Sequence, residues 1–175
     1  MKTYRARVIY TNEQTLLESR AIRTGMLYFK EDGSSRMRVG FTTLKQDDEP
    51  LEKIREEYIF DGVNMTRINF QLKTIEVRQL SEPNNPLDAF ELAGRYWPMV
   101  GFANVESIRK DFEIKLVQES EKIVQLRLEP KPGSRYSQDY EYINFWIDAQ
   151  KWLPTKMSAM SPDEIAYEFE LADAK

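Results

Sequence analysis

The chain has 175 residues, of which 41% are hydrophobic and 31% charged, and its formal net charge at pH 7 is -4. These values are typical of one soluble globular domain and argue against nucleic-acid binding, which usually needs a basic excess. The sequence has no cysteine and no histidine, which excludes thiol nucleophiles, disulfides, Cys/His zinc sites and triads with an imidazole base. We therefore expect no catalytic residues, no metal and no cofactor.

Neither a membrane helix nor a secretory signal is evident. No apolar run reaches the roughly 18 residues that a membrane-spanning helix needs. The first residues, Met1 to Tyr4, run directly into an alternating segment without the apolar stretch of a signal peptide. The sequence is thus that of a cytosolic protein or of an exported protein whose signal has been removed, and composition alone leaves both open.

The first half of the chain alternates apolar and polar side chains with period two, which predicts antiparallel strands with one buried face. The predicted strands are Tyr4–Tyr10, Ile22–Lys30, Met37–Phe41, Glu57–Asp61, Asn64–Phe70 and Ile75–Arg78. Turn residues at Glu31 to Ser34 and at Asp61-Gly62 should each close a hairpin. Most arginines here are interpreted as the solvated face of these strands: Arg5, Arg7, Arg20, Arg23, Arg36 and Arg38.

Two short helices are predicted in the middle of the chain. The first opens with Asn85 as the capping residue and Pro86 in the first helical position, and it ends by Pro98. The second spans Asn104–Asp111. Because both are short, they can cover only part of an apolar sheet face.

Alternation resumes after the helices. The predicted strands are Phe112–Leu116, Val124–Glu129, Tyr140–Asp148, Leu153–Met160 and Tyr167–Leu171. The chain is therefore predicted to be mainly β (α+β), with about ten strands. A sheet with one continuous apolar face must close into a barrel, fold into a sandwich, or stay open with its concave face occupied by a ligand.

The order of the segments along the chain carries a resemblance to a known family. The segments are Thr24–Lys30, Met37–Phe41, Glu57–Gly62, Lys73–Val77, the two mid-chain helices, Phe112–Leu116, Val124–Pro130, Phe145–Asp148 and Leu153-Pro154. This order resembles the outer-membrane lipoprotein carrier (LolA-like) family over nearly the whole chain. The resemblance implies a curved, unclosed antiparallel half-barrel of about ten strands, with short helices covering the concave face, as one lipid-binding domain over residues 1–175.

Two features depart from that family. Typical carriers begin with a long helix before the first strand, whereas this chain starts at the strand, and the loss of such a helix would leave the cavity wider. The family's Arg-Pro pair after the second strand is replaced here by Lys30-Glu31, and Arg36 and Arg38 lie beyond the turn. We therefore do not expect an arginine-dependent opening switch.

The resemblance implies a periplasmic carrier or binder of lipoproteins or acyl lipids, with its export signal removed and with no catalysis. Acyl chains are the expected partners, a membrane-bound donor and acceptor are further candidates, and we expect a monomer that binds no nucleic acid. An acyl chain needs shelter from water, at about 0.8 kcal/mol per methylene. The inward side chains predicted to line the cavity, each of which has an ordinary core role as its alternative, are Leu27, Phe29, Met37, Phe41, Phe60, Phe112, Leu126, Phe145 and Phe169.

Three functions stay open at the level of sequence. A lipid or lipoprotein carrier predicts a connected apolar cavity. An envelope sensor or protein-interaction domain of the same fold predicts a filled interior and an exposed contact patch. An enzyme would need convergent polar groups in a cleft, and no spacing of carboxylate, lysine, serine or tyrosine side chains indicates such a site.

Overall fold

The structure is a computed structural model that describes residues 2–93, 97 and 105–174. The first half of the chain forms six strands and a short 3-10 turn over Thr15–Leu17: β1 (Lys2–Gln14), β2 (Ser19–Glu31), β3 (Ser35–Gln46), β4 (Glu52–Phe60), β5 (Asn64–Asn69) and β6 (Thr74–Gln79). Two short helices follow, α1 (Ala89–Ala93) and α2 (Val105–Asp111). The second half forms five strands: β7 (Phe112–Glu119), β8 (Ile123–Pro130), β9 (Tyr142–Asp148), β10 (Leu153–Met160) and β11 (Ile165–Ala172).

The described strands form a single sheet in the order β6-β5-β4-β3-β2-β1-β11-β10-β9-β8-β7. Each neighbouring pair is antiparallel. The chain starts at the centre of the sheet and builds one half outward to β6, and after the helices it builds the other half inward from β7. Within the described residues β6 and β7 stay unpaired with each other, so the sheet is a curved, unclosed half-barrel. The predicted fold class is confirmed, with eleven strands where about ten were expected.

Alternation of side chains decides which face of the sheet is buried. On β3, Met37, Val39 and Phe41 are at most 1% exposed, whereas Arg38 between them is exposed. The same period places the buried residues of the other strands in one hydrophobic cluster on the concave face. Burial of such side chains contributes roughly 1.5–3 kcal/mol each, and this cluster is what holds the curved sheet together.

Both predicted hairpin turns are confirmed, and aspartate supports the one after β4 as well as the turn after β9. The Oδ1 atom of Asp61 accepts hydrogen bonds from the backbone N–H groups of Val63 (2.9 Å) and Asn64 (2.7 Å). Asp148 accepts in the same way from Lys151 (2.9 Å) and from the residue before it. These backbone bonds hold the pKa of Asp148 below its ordinary value. Both aspartates therefore have the turn-supporting role that is common for this residue type.

The predicted start of the first helix is wrong: α1 begins at Ala89 and not after Asn85. The backbone N–H of Leu87 donates to the carbonyl oxygen of Gly62 (2.8 Å), and the N–H of Ala89 donates to Ser35 Oγ (2.7 Å). Because these bonds tie the segment to the β2–β3 and β4–β5 hairpins, the residues after Asn85 cannot adopt helical geometry before Ala89.

The predicted second helix is confirmed as α2, which covers Val105–Asp111. Asn104, its predicted first residue, and Pro98, the predicted end of the first helix, lie outside the described residues. Helix α1 contacts β3 and β4, whereas α2 leads directly into β7 and contributes Ile108 to the buried cluster. Among the helices of the described chain, none has the length and apolar character needed to cross a bilayer.

Candidate functional site

The nine residues predicted to line a cavity all lie within, or pack against, one buried cluster on the concave face. Seven are buried, at most 2% exposed: Leu27, Met37, Phe41, Phe60, Phe112, Phe145 and Phe169. The other two, Phe29 and Leu126, are partly buried and pack against the same cluster. The structure thus brings the nine side chains together, in contact with other side chains of the protein. Their role in binding a lipid stays a prediction.

Trp97 lies at the centre of this face and was not among the predicted site residues. The indole is 5% exposed. The centroids of the five rings around it lie at 4.9 Å (Tyr58), 5.6 Å (Phe169), 5.7 Å (Phe60), 6.3 Å (Phe41) and 6.4 Å (Tyr10). We call these six residues the aromatic centre. They come from β1, β3, β4, β11 and the middle of the chain. Short-range sequence patterns therefore cannot predict the aromatic centre.

The Trp97 side chain and helix α1 lie together over the middle of the sheet. Ala89, Leu92 and Ala93 of α1 are fully buried. The backbone N–H of Trp97 donates to the carbonyl oxygen of Ala93 (2.9 Å), which continues the helical hydrogen-bond spacing from α1 to the indole. The described cover of the aromatic face is therefore small: one short helix and one large side chain.

A cavity of about 280 Å³ lies beside the indole. Its apolar and aromatic lining consists of Tyr10, Phe41, Tyr58, Met65 and Trp97, and its charged lining consists of Arg23, Arg67, Glu76 and Arg78. We call Arg23, Arg67 and Arg78 the arginine wall. Arg23 is the exception among the six arginines, most of which were interpreted as solvated, since its side chain is only 28% exposed and faces the concave side. The cavity is thus amphipathic, with hydrocarbon on one side and guanidinium groups on the other.

A buried carboxylate supports the arginine wall. The side chain of Glu56 is 8% exposed, and its Oε1 accepts hydrogen bonds from Arg67 (2.9 Å) and from Asn69 Nδ2 (3.0 Å). The hydrogen bond that Arg67 donates to Glu56 is the main cause that raises the pKa of Arg67. A carboxylate taken out of water needs such partners, so this pair fixes the position of the Arg67 guanidinium at the cavity.

Burial also raises the pKa values of the two tyrosines that line the cavity. It raises the pKa of Tyr10 to about 12 and raises the pKa of Tyr58 above its ordinary value. Both hydroxyls are therefore neutral at pH 7. Across the described residues, no group of three or more acidic side chains is placed to hold a metal ion. What the site offers chemically is apolar contact surface, neutral phenols and guanidinium donors.

Sequence comparison finds no matching protein-family model and no matching curated protein. Solved structures do match. The Pseudomonas aeruginosa MucA/MucB complex aligns over 99% of this chain with 16% identity and a TM-score of 0.50, and a structure of MucB aligns over 100% with 14% identity and a TM-score of 0.55. The chain spans about half the length of these matched chains, 51% and 53%.

Two further structures match over most of both chains. An uncharacterised conserved protein from Thermus thermophilus aligns over 99% of this chain and 78% of its own, with 9% identity and a TM-score of 0.55. A LolA-superfamily protein from Nitrosomonas europaea aligns over 99% and 86%, with 11% identity and a TM-score of 0.38. Structural neighbours thus include a LolA-superfamily protein, and the half-barrel predicted from the order of segments is present as an unclosed sheet. At these identities the likeness concerns fold alone.

Proposed function

We propose that this chain binds the acyl part of a lipoprotein or another lipid on the concave face of its half-barrel, without catalysis, in the periplasm. One observation carries the proposal. Aromatic and aliphatic side chains from both halves of the sheet converge on a single indole, that of Trp97, beside a cavity of about 280 Å³. Contact with such a surface stabilises the bound acyl chain by about 0.8 kcal/mol for each methylene removed from water. The LolA-like fold supports the envelope location.

Binding requires that Trp97 moves. Ligand pockets usually measure roughly 300–1,000 Å³, so the present cavity, at about 280 Å³, lies just below that range and is too small for a long acyl chain. The indole occupies the space between Phe41, Phe60 and Phe169. When it leaves, these rings form an apolar trough that continues from the cavity. Trp97 therefore occupies the hydrocarbon site in the ligand-free protein, and the acyl chain replaces it.

A titration with matched peptides tests the proposal. A synthetic peptide that carries an N-terminal palmitoyl group is compared with the same peptide without it, by isothermal titration calorimetry on the full chain. We expect saturable binding of the palmitoylated peptide and no detectable binding of the unmodified one. If neither peptide binds, or if both bind with the same affinity, the proposal is wrong.

A second candidate function is that of a protein-interaction or sensor domain, and one observation favours it. The described concave face is filled by the protein's own side chains, with Leu92, Ala93 and Trp97 at most 5% exposed, while Ile75 and Val77 on the edge strand β6 are 69% and 63% exposed. A matched structure, the MucA/MucB complex, is itself a protein assembly. Equal affinity for the two peptides in the same titration would support this candidate.

A further inference from the structure

We propose that the arginine wall binds the anionic head of the same amphiphilic ligand, so that the chain selects acyl compounds that carry one oxyanion, a phosphate or a carboxylate, over those with neutral heads. The inference rests on the proposed function, because the aromatic centre is taken to receive the tail. It adds a second binding site in the cavity, with a chemistry that acyl binding alone does not require.

Register places the three arginines on the face that carries Trp97. In β5 and β6, Arg67 lies opposite Glu76, and Arg78 lies opposite Met65 of the buried cluster. Nearer the centre of the sheet, Arg23 of β2 lies opposite Tyr10 of β1. Three strands thus direct one guanidinium each into the same cavity.

The guanidinium groups have hydrogen-bond donors to spare. Each carries five N–H donors. Arg67 uses a terminal nitrogen for Glu56, but its Nε is buried and has no hydrogen-bond partner among the described residues. The nearest carboxylate oxygens to Arg23 and Arg78, on Glu56 and Glu76, are 3.7 Å away, beyond hydrogen-bond length. An acceptor with several oxygens would satisfy donors that the protein leaves unused.

The charge of the site favours an anion. Among the described residues, the charged groups that line the cavity are three arginines and Glu76, and the carboxylate of Glu56 lies next to Arg23 and Arg67. Glu56 is already bonded to Arg67 and Asn69, and Glu76 lies at the exposed rim with 47% of its side chain in solvent. The wall therefore keeps a positive excess, although the whole chain has a net charge of -4. A single oxyanion neutralises that excess, whereas a neutral head leaves it in a partly desolvated cavity.

The test compares one tail with two heads. Dodecyl phosphate and dodecyl maltoside, both below their micelle concentrations, and inorganic phosphate alone are titrated into the full chain by calorimetry. We expect dodecyl phosphate to bind at least about tenfold more tightly than the maltoside, because hydrogen bonds between charged groups are stronger than those between neutral groups. That advantage should shrink as salt screens the partly exposed charges.

Two arginine variants assign the effect to the wall. Arg78→Met removes a guanidinium whose side chain is 61% exposed, and Arg55→Met is the matched control, 64% exposed on the opposite face of β4 beside Glu57. We expect Arg78→Met to weaken dodecyl phosphate binding about fivefold or more and to leave maltoside binding unchanged. Arg55→Met should change neither. Thermal unfolding checks that both variants are folded.

The outcomes separate the two proposals. Equal affinity for dodecyl phosphate and dodecyl maltoside would overturn the anion site and leave acyl binding standing. If neither dodecyl phosphate nor dodecyl maltoside binds, the proposed function is overturned. Binding of inorganic phosphate that Arg78→Met weakens, without binding of the maltoside, would support the anion site and overturn acyl binding.

Discussion

The ring of Tyr58 and the indole of Trp97 meet edge to face, with their centroids 4.9 Å and their planes 72° apart. The guanidinium of Arg67 lies 5.7 Å from the centroid of the same tyrosine ring. Tyr58 therefore joins the aromatic centre to the arginine wall. Because aromatic faces accept both apolar contacts and cations, a ligand that displaces Trp97 would pass from hydrocarbon to guanidinium groups across this one ring.

Replacing the indole should separate its structural role from its role in binding. Trp97→Ala should lower the free energy of unfolding by about 3 kcal/mol, since large buried aromatics cost this much when truncated. The palmitoylated peptide should raise the melting temperature of Trp97→Ala more than that of the unmodified protein, because the acyl chain fills the vacated space and no longer competes with the indole. Thermal unfolding with and without peptide measures both effects.

Trp152→Ala is the matched control, because this tryptophan is 72% exposed on the turn before β10. We expect its stability to stay within about 0.5 kcal/mol of the unmodified protein and its peptide response to be unchanged. A smaller peptide response in Trp97→Ala than in the unmodified protein would mean that the indole assists acyl binding and does not occupy its place.

Neutralising Glu56 should strengthen anion binding while it weakens the fold. Glu56→Gln removes the carboxylate that competes for Arg67, so the affinity for dodecyl phosphate should rise several-fold. The loss of a charge-assisted hydrogen bond should lower the free energy of unfolding by about 1–2 kcal/mol. Calorimetry and urea unfolding measure the two quantities.

The control is Glu57→Gln, next in sequence but on the opposite face. Its carboxylate is 11% exposed, against 8% for Glu56, and accepts a hydrogen bond from Arg38 at 2.8 Å. We expect a similar loss of stability with no change in dodecyl phosphate affinity. The same affinity change in both variants would show that the effect is a general response to lost negative charge.

The contact between β2 and β3 tolerates no side chain at Gly25. A Cβ atom there would lie 1.8 Å from the carbonyl oxygen of Gly40 and 2.8 Å from Phe41 Cα, all backbone. Gly25→Ala should therefore lower the free energy of unfolding by about 3 kcal/mol. At Gly40 itself the nearest atom to a Cβ would be Glu57 Cγ at 3.9 Å, so Gly40→Ala should be neutral or slightly stabilising. Urea unfolding of both variants decides, and equal stability would contradict the close approach.

Stability should depend on pH through Glu170. A hydrogen bond with Glu168, then burial, then repulsion by the Glu168 charge raise the pKa of Glu170 above its ordinary value, against the attraction of Lys156. A carboxyl whose pKa is raised by folding favours the native state when protonated, so its contribution is lost as pH rises through the folded pKa. Glu170→Gln should therefore melt at a higher temperature than the unmodified protein at pH 7, with the difference vanishing near about pH 4. A lower melting temperature for Glu170→Gln at pH 7 would reverse the assigned sign.

Local pattern accounts for the part of the fold that could be predicted. Alternation, as in Met37, Val39 and Phe41, exposes the strand period, and turn residues such as Asp61 and Asp148 satisfy backbone groups only two or three residues away. Both signals are contained in short stretches of sequence. The strands could therefore be predicted, and their observed ends differ from the predicted ones by at most five residues.

The candidate site depends on long-range contacts, which no local pattern records. Helix α1 starts late because Gly62 and Ser35, remote in sequence, hold the backbone before it. The local sequence around Arg23 indicates a solvated strand residue. The folded sheet instead places its side chain in the same cavity as Arg67 and Arg78. Trp97 likewise acquires its role from rings on four strands, which only the folded sheet brings together.

Emission from Trp97 tests most directly the claim that this indole occupies the acyl site. In a Trp146→Phe, Trp152→Phe variant, Trp97 is the remaining tryptophan of the three in the chain. Titration with the palmitoylated peptide should shift its emission to the red in a saturable way, as the indole leaves the aromatic centre for water, and the unmodified peptide should produce no shift. Saturable binding of the palmitoylated peptide with an unchanged Trp97 emission would contradict the account.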